Sequence, residues 1–198
     1  MLKGWPAAAD RGLVLPFLLA CRVVEDPDAG VCPSWSGLVG TGQVWSWERF
    51  ADEHTWMASL DVFEAENVEV VQADGVSTYR CDAEGAWATG RWQGTAETWS
   101  EWTFEPPYLV VPRVLEVGTA WSSDIAWNLQ RSDGTQETAS TSAQFIVEAE
   151  VQTVVPAGSF DTLQVRVLDA EGGDSWYFAR DVGVVLTDSD QLVGFNEN

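Results

Sequence analysis

The sequence predicts an all-β domain, for three reasons. Apolar and polar residues alternate through long stretches, most clearly over residues 151–186, and a period of two is typical of half-buried strands. Reversals fall within that stretch at Pro156-Ala157-Gly158, where Gly158 is expected to supply a positive φ, and at 171–173. Turn signals recur at short intervals along the rest of the chain. We therefore predict one domain, a curved antiparallel sheet or half-barrel of about ten strands, with a full barrel or a sandwich as alternatives.

The first half of the predicted domain contains one strong turn and one ambiguous segment. Ala73-Asp74-Gly75 separates two alternating runs, and Asp-Gly in that position is a strong hairpin signal. Residues 48–67 fit alternation, but their Glu and Ala content also permits a helix, which is the one alternative to a purely β-sheet domain. Pro106-Pro107 marks the best internal boundary, because two successive prolines cannot sit in a central strand.

The second half alternates more regularly than the first. Ile125, Trp127 and Leu129 share one face of a run that ends at the Ser132-Asp133-Gly134 turn. Residues 145–151 then give the cleanest half-buried strand of the chain, with apolar and acidic side chains on opposite faces.

The first twenty residues are predicted to lie outside the fold. A lead containing Lys3 and Arg11 precedes an apolar run over 13–20, which is too short to cross a membrane as a helix because that requires roughly 20 residues. A charged lead before a short apolar run is typical of a secretory signal. Leu18-Leu19-Ala20-Cys21 resembles the lipobox of bacterial lipoproteins. The resemblance implies cleavage before Cys21 and acylation of its sulfur; a secretory peptide with a chance cysteine, or a buried strand, are the alternatives.

These features divide the chain into three parts. Residues 1–20 are predicted to be a lipoprotein signal peptide, residues 21–40 an irregular tether rich in Pro and Gly, and residues 41–198 the β-rich domain. The predicted partner of the anchor is a membrane, reached through acyl chains on Cys21. Arg22 is not the aspartate linked to inner-membrane retention, so the predicted location is extracytoplasmic, at the outer membrane of a bacterium.

The net charge limits the classes of partner that the protein can bind. The net charge is −21, and no lysine follows residue 20, so binding to nucleic acid is disfavoured by repulsion. An acidic, solvated surface is the favoured interpretation, with salt adaptation or calcium-binding loops as alternatives.

The chain has three cysteines. If Cys21 carries lipid, Cys32 and Cys81 can form a disulfide in an oxidising compartment; two free buried thiols are the alternative.

The second half of the chain contains three motifs that carry a family resemblance. They are Leu115-Glu116-Val117-Gly118 with Trp121, Val155-Pro156-Ala157-Gly158-Ser159-Phe160 with Leu163 and Val165, and Trp176-Tyr177 with Val182-Gly183-Val184. These motifs resemble those of uncharacterised bacterial lipoproteins and exported proteins similar to the TapB-like proteins of unknown function, which are distantly related in fold to the periplasmic lipoprotein carriers. The resemblance implies a curved antiparallel sheet around an apolar interior, and it brings no catalytic residues.

Tryptophan is the residue type most suggestive of a binding site, with twelve in the chain. Trp45, Trp47, Trp99 and Trp102 could line an apolar pocket or stack on sugar rings, although core packing is the favoured role for most tryptophans. His54 is predicted to be a surface residue, because a base or metal ligand needs converging partners. We predict no cofactor and no metal.

The sequence therefore predicts a non-catalytic protein that binds a ligand or acts as a scaffold in the cell envelope. A curved sheet around an apolar interior would suit a hydrophobic ligand. A carbohydrate-binding domain that uses exposed tryptophans is the second hypothesis, and a hydrolase that uses two of the many carboxylates is the third.

Overall fold

A computed structural model describes residues 32–37, 43–64, 67–170 and 172–196 of the 198-residue chain. These residues form twelve strands in one antiparallel sheet. In chain order the strands are β1 (Val44–Arg49), β2 (Thr55–Glu64), β3 (Asn67–Gln72), β4 (Gly75–Cys81), β5 (Gly85–Gly94), β6 (Trp99–Pro112), β7 (Ala120–Arg131), β8 (Gln136–Val155), β9 (Gly158–Leu168), β10 (Gly173–Ala179), β11 (Gly183–Leu186) and β12 (Asp190–Asn196).

The sheet closes into a barrel. Each strand pairs with the next one along the chain, and β1 also pairs with β12. The domain is all-β, but the predicted curved sheet or half-barrel of about ten strands is wrong. The reason is physical: closure depends on pairs such as Trp47 with Leu192, which are far apart in sequence and leave no signal in local alternation.

The ambiguous segment of the sequence forms a strand. β2 covers Thr55–Glu64, and its Ala58 and Leu60 are buried in the core with 4% and 1% of their surface exposed. Burial of this alternating face outweighs the weak helical preference of the segment. Among the described residues, the single helical element is a 3-10 turn at Ser34–Ser36.

The two successive prolines lie inside β6, not between strands. Residues 104–107 of β6 lie opposite a single residue of β5, because Thr103 pairs with Gly90 and Tyr108 already pairs with Ala88. The ladder is therefore open where Pro106 and Pro107 lack an N–H, so their presence costs no hydrogen bond to β5. The predicted internal boundary does not separate two strands.

The core fills the barrel along one face of each strand. On β8, Ala143, Phe145 and Val147 are buried while the residues between them are exposed. Phe178, Leu163 and Val165 are at most 1% exposed and face the same interior. This alternation is what a barrel of twisted strands requires.

The chain enters the barrel through a docked segment. Cys32 and Cys81 form a disulfide, which confirms the predicted pairing. The Asp181 backbone N–H donates a 2.7 Å hydrogen bond to the Ser34 carbonyl, and the Arg180 guanidinium lies 4.7 Å from the centre of the Trp35 ring. Residues 32–37 of the predicted tether therefore pack on the barrel.

The last points concern the predicted signal peptide and membrane-spanning helices. Cys21 and the predicted signal peptide over 1–20 lie outside the described residues. Within the described ranges, no helix has the length and apolar character needed to cross a bilayer.

Candidate ligand-binding site at the distal end of the barrel

The two ends of the barrel differ because the strands alternate in direction. The turns after β2, β4, β6, β8 and β10 lie at one end, together with Cys81 and residues 32–37; we call it the disulfide end. The turns after β1, β3, β5, β7, β9 and β11 lie at the other end, which we call the distal end. The candidate site lies at the distal end.

Part of the wall at the distal end is supported on one side alone. β8 pairs with β7 from Gln136 onward, but its pairing with β9 begins at Gln144. Among the described residues, no strand pairs with the other side of residues 136–143. We call residues 99–104 of β6, 125–131 of β7 and 136–143 of β8 the distal flap.

The inner face of the distal flap is aromatic and half-buried. Trp102 lies opposite Leu129, which is 5% exposed, and Phe104 lies opposite Trp127. These residues share a face with Ile125, which precedes Trp127 by two positions. Trp102, Phe104, Trp127 and Ile125 each retain some exposure. They continue the core outward as an apolar wall that solvent can reach.

Arg91 lies on the same wall, which also carries the ion pair between Arg131 and Glu137 on the face of Leu129. Arg91 is opposite Trp102 on β6 and opposite Ser77 on β4, and Ser77 is 3% exposed. This register directs Arg91 to the interior, because strand neighbours directly opposite share a face.

Two tyrosines lie close to this cation. Burial raises the pKa of Tyr79 well above its usual value, and the nearby Tyr108 raises it further, whereas the Arg91 guanidinium lowers it. Burial raises the pKa of Tyr108 to about 12, again with the Arg91 guanidinium as the opposing influence. The Tyr108 ring meets Phe104 edge-on, with 5.0 Å between ring centres. Arg91 therefore sits among neutral, largely buried hydroxyls and aromatic rings.

The four tryptophans singled out from the sequence do not share one surface. Trp45 and Trp47 are buried, with 3% and 4% exposed. The Trp45 indole N–H donates to the Val182 carbonyl at 3.0 Å, and Trp47 stacks on Trp56 with 5.6 Å between ring centres. Trp99 pairs with Gly94 on β5. It precedes Trp102 by three positions with no bulge between them, so its side chain faces outward. Of the four, Trp102 alone belongs to the distal wall.

The remaining candidates lie apart from this wall. His54 is exposed in the β1–β2 turn, and its backbone N–H donates a 3.1 Å hydrogen bond to the Asp52 carboxylate. The described residues contain no group of three or more His, Cys, Asp or Glu side chains placed to hold a metal ion.

Arg91, Phe104 and Trp127 were missed as site residues. A weak signal existed for Trp127, which alternates with Ile125 and Leu129 in the sequence. Its partner on β6 depends on strand register, and for Arg91 the β-bulge at Thr89 decides which way the side chain points, since Tyr79 pairs with Ala88 and Thr78 pairs with Gly90.

Comparison with known proteins adds one distant likeness. No protein-family model matches the chain, and no curated protein matches it. The chain is similar to the hypothetical lipoprotein YmcC from Escherichia coli (K12), whose crystal structure is known, with 10% sequence identity and a TM-score of 0.45. The match covers 79% of this chain and 86% of that chain.

Proposed function

We propose that this protein is a lipid-anchored, extracytoplasmic lipoprotein of the bacterial outer membrane whose barrel is a non-catalytic module that binds an apolar ligand. The observation that carries the binding proposal is the half-buried inner face of the distal flap, formed by Trp102, Phe104, Ile125 and Trp127. Concave apolar surface that remains open to solvent is what small hydrophobic ligands occupy. Each square ångström that a ligand removes from water would contribute about 25 cal/mol.

The extracytoplasmic part of the proposal is supported by the cysteines. The Cys32–Cys81 disulfide is of the kind that forms and persists in oxidising compartments. It uses two of the three cysteines, and the third, Cys21, lies in the lipobox-like sequence, where several acyl chains would give stable anchoring. Residues 32–37, which follow the proposed anchor in sequence, pack at the disulfide end, and the distal wall lies at the opposite end of the barrel.

The anchor is tested by intact-mass measurement after expression in a bacterium that acylates lipoproteins. We expect the mature protein to begin at residue 21 and to carry the added mass of a diacylglyceryl group and an amide-linked acyl chain. A Cys21→Ala variant is expected to lack that mass and to keep its leader. A mature wild-type protein with an unmodified Cys21 would remove the proposed location.

Ligand binding is tested with two tryptophans of the same strand. Trp102 and Trp99 are both half-buried on β6, but they face the interior and the exterior of the barrel respectively. The full-length protein in lipid nanodiscs is titrated with the neutral fluorescent probe N-phenyl-1-naphthylamine, and the signal of empty nanodiscs is subtracted. We expect Trp102→Ala to weaken binding about tenfold, since it removes apolar contact area, and Trp99→Ala to have no effect.

The same pair of variants shows how the proposal could fail. Absence of probe binding to the wild type, or equal binding by wild type and Trp102→Ala, would contradict an apolar site on the distal wall. A binding loss confined to Trp99→Ala would instead favour an external aromatic surface, as expected of a carbohydrate-binding domain.

A further inference from the structure

Arg91 is distinguished from the other arginines by its lack of a partner. Among the residues that the structure describes, its side chain alone of seven arginine side chains makes no ion pair, no hydrogen bond and no contact with an aromatic ring face. The other six have partners: Arg49 with Asp190, Arg80 with Asp82 and Trp87, Arg113 with the Asp82 and Ala83 carbonyls, Arg131 with Glu137, Arg166 with Glu148, and Arg180 with Trp35.

The surroundings of Arg91 make this unusual. The chain carries 31 acidic and 10 basic residues, so carboxylates outnumber cations and a partner would be easy to supply. Arg91 is instead directed inward on the wall that carries Trp102, next to Tyr79 and Tyr108. Arg91 is half-buried. Partial removal of a guanidinium from water without a counter-charge is unfavourable, and an apolar setting strengthens its attraction for an anion.

The chemistry of the complementary group follows from these contacts. A guanidinium binds a carboxylate through two parallel N–H···O hydrogen bonds, which suits a planar head group. The net charge of −21 opposes a ligand with several negative charges. The adjoining surface of Trp102, Phe104 and Trp127 is apolar, so the rest of the ligand should be an alkyl chain.

We propose that Arg91 is the head-group site for a long-chain carboxylate, whose alkyl chain lies along the inner face of the distal flap. This inference rests on the proposed function, since it names the class of apolar ligand that the distal wall receives. Arg91 determines specificity by distinguishing an ionised amphiphile from a neutral one of the same length.

The test compares two ligands that differ at the head alone. Dodecanoate and 1-dodecanol are used, each near neutral pH, to displace N-phenyl-1-naphthylamine from the full-length protein in nanodiscs. We expect the wild type to bind dodecanoate about tenfold more tightly than 1-dodecanol, as for a charge-assisted hydrogen bond that the alcohol cannot make. Arg91→Gln should remove this preference by weakening dodecanoate binding and leaving 1-dodecanol binding unchanged.

Two further variants complete the design. Arg91→Lys keeps the charge and should retain part of the preference. Arg166→Gln removes an exposed guanidinium that pairs with Glu148 on the outer surface, and it should leave both affinities unchanged.

The outcomes separate this inference from the proposed function. Probe binding with equal wild-type affinities for dodecanoate and 1-dodecanol would overturn the role of Arg91 and leave the apolar site standing. Absence of probe binding to the wild type would overturn both. The wild-type comparison needs no variant, so the inference is decided even if Arg91→Gln does not fold.

Discussion

The two ends of the barrel use the same alternating pattern to opposite effect. At the disulfide end, Phe178, Val111 and Val184 have no exposed surface, and the 3-10 turn with its disulfide packs alongside. At the distal end, Trp102 and Trp127 occupy equivalent inward positions and remain half-exposed. The two ends differ in strand pairing, because residues 136–143 of β8 extend beyond the end of β9 and do not pair with it. Exposure of apolar wall thus follows from strand length, not from residue type.

The unpaired edge of the distal flap carries mostly polar residues. Its sequence over 136–143 reads QETASTSA, with small polar side chains and one carboxylate and no large apolar residue. An exposed edge strand invites pairing with other chains, and polar or charged side chains reduce that hazard. Apart from Trp99, the large apolar side chains of the flap lie on its inner face, away from this edge.

The sealed core and the distal wall should differ most in what a large-to-small substitution costs. Phe178→Ala removes a ring that is 0% exposed and should lower the free energy of unfolding by about 3–5 kcal/mol. Trp127→Ala, at a half-exposed position of the distal wall, should cost about 1 kcal/mol, because much of its surface already meets water.

Urea denaturation of the full-length variants measures both losses, provided the slopes with denaturant are equal. A loss at Trp127 as large as the loss at Phe178 would mean that the distal wall belongs to the sealed core. In that case it could not be the open site proposed above.

Much of the fold could be predicted from the sequence because the relevant signals are local. The Asp74-Gly75 turn connects β3 and β4 as predicted, with Gln72 paired to Gly75. Gly158 has φ 145°, the positive value expected from its turn. The Cys32–Cys81 disulfide followed from the number of cysteines and the lipobox-like setting of Cys21.

Closure and the candidate site could not be predicted, because both depend on long-range register. Local alternation says that Trp102 and Trp127 each face one side of a strand, but not that they face the same side of one wall. The bulge at Thr89 reverses the alternation of β5 and turns Arg91 inward. The boundary predicted at Pro106 and Pro107 was wrong for the same reason, since the two prolines lie where β6 is not paired with β5.

The tyrosines beside Arg91 should make the stability of the folded protein depend on pH in the alkaline range. The pKa of Tyr108 is raised to about 12 by burial, and an unfolded tyrosine ionises near about 10. The folded protein therefore holds the proton more tightly than the unfolded chain, so this stability is complete below about pH 10 and is lost as pH rises toward about 12. The loss should reach about 2 kcal/mol, as measured by urea denaturation at several pH values. Tyr108→Phe should remove this share of the loss and leave the contribution of Tyr79, whereas a profile identical to that of the wild type would show that the Tyr108 hydroxyl is already solvated.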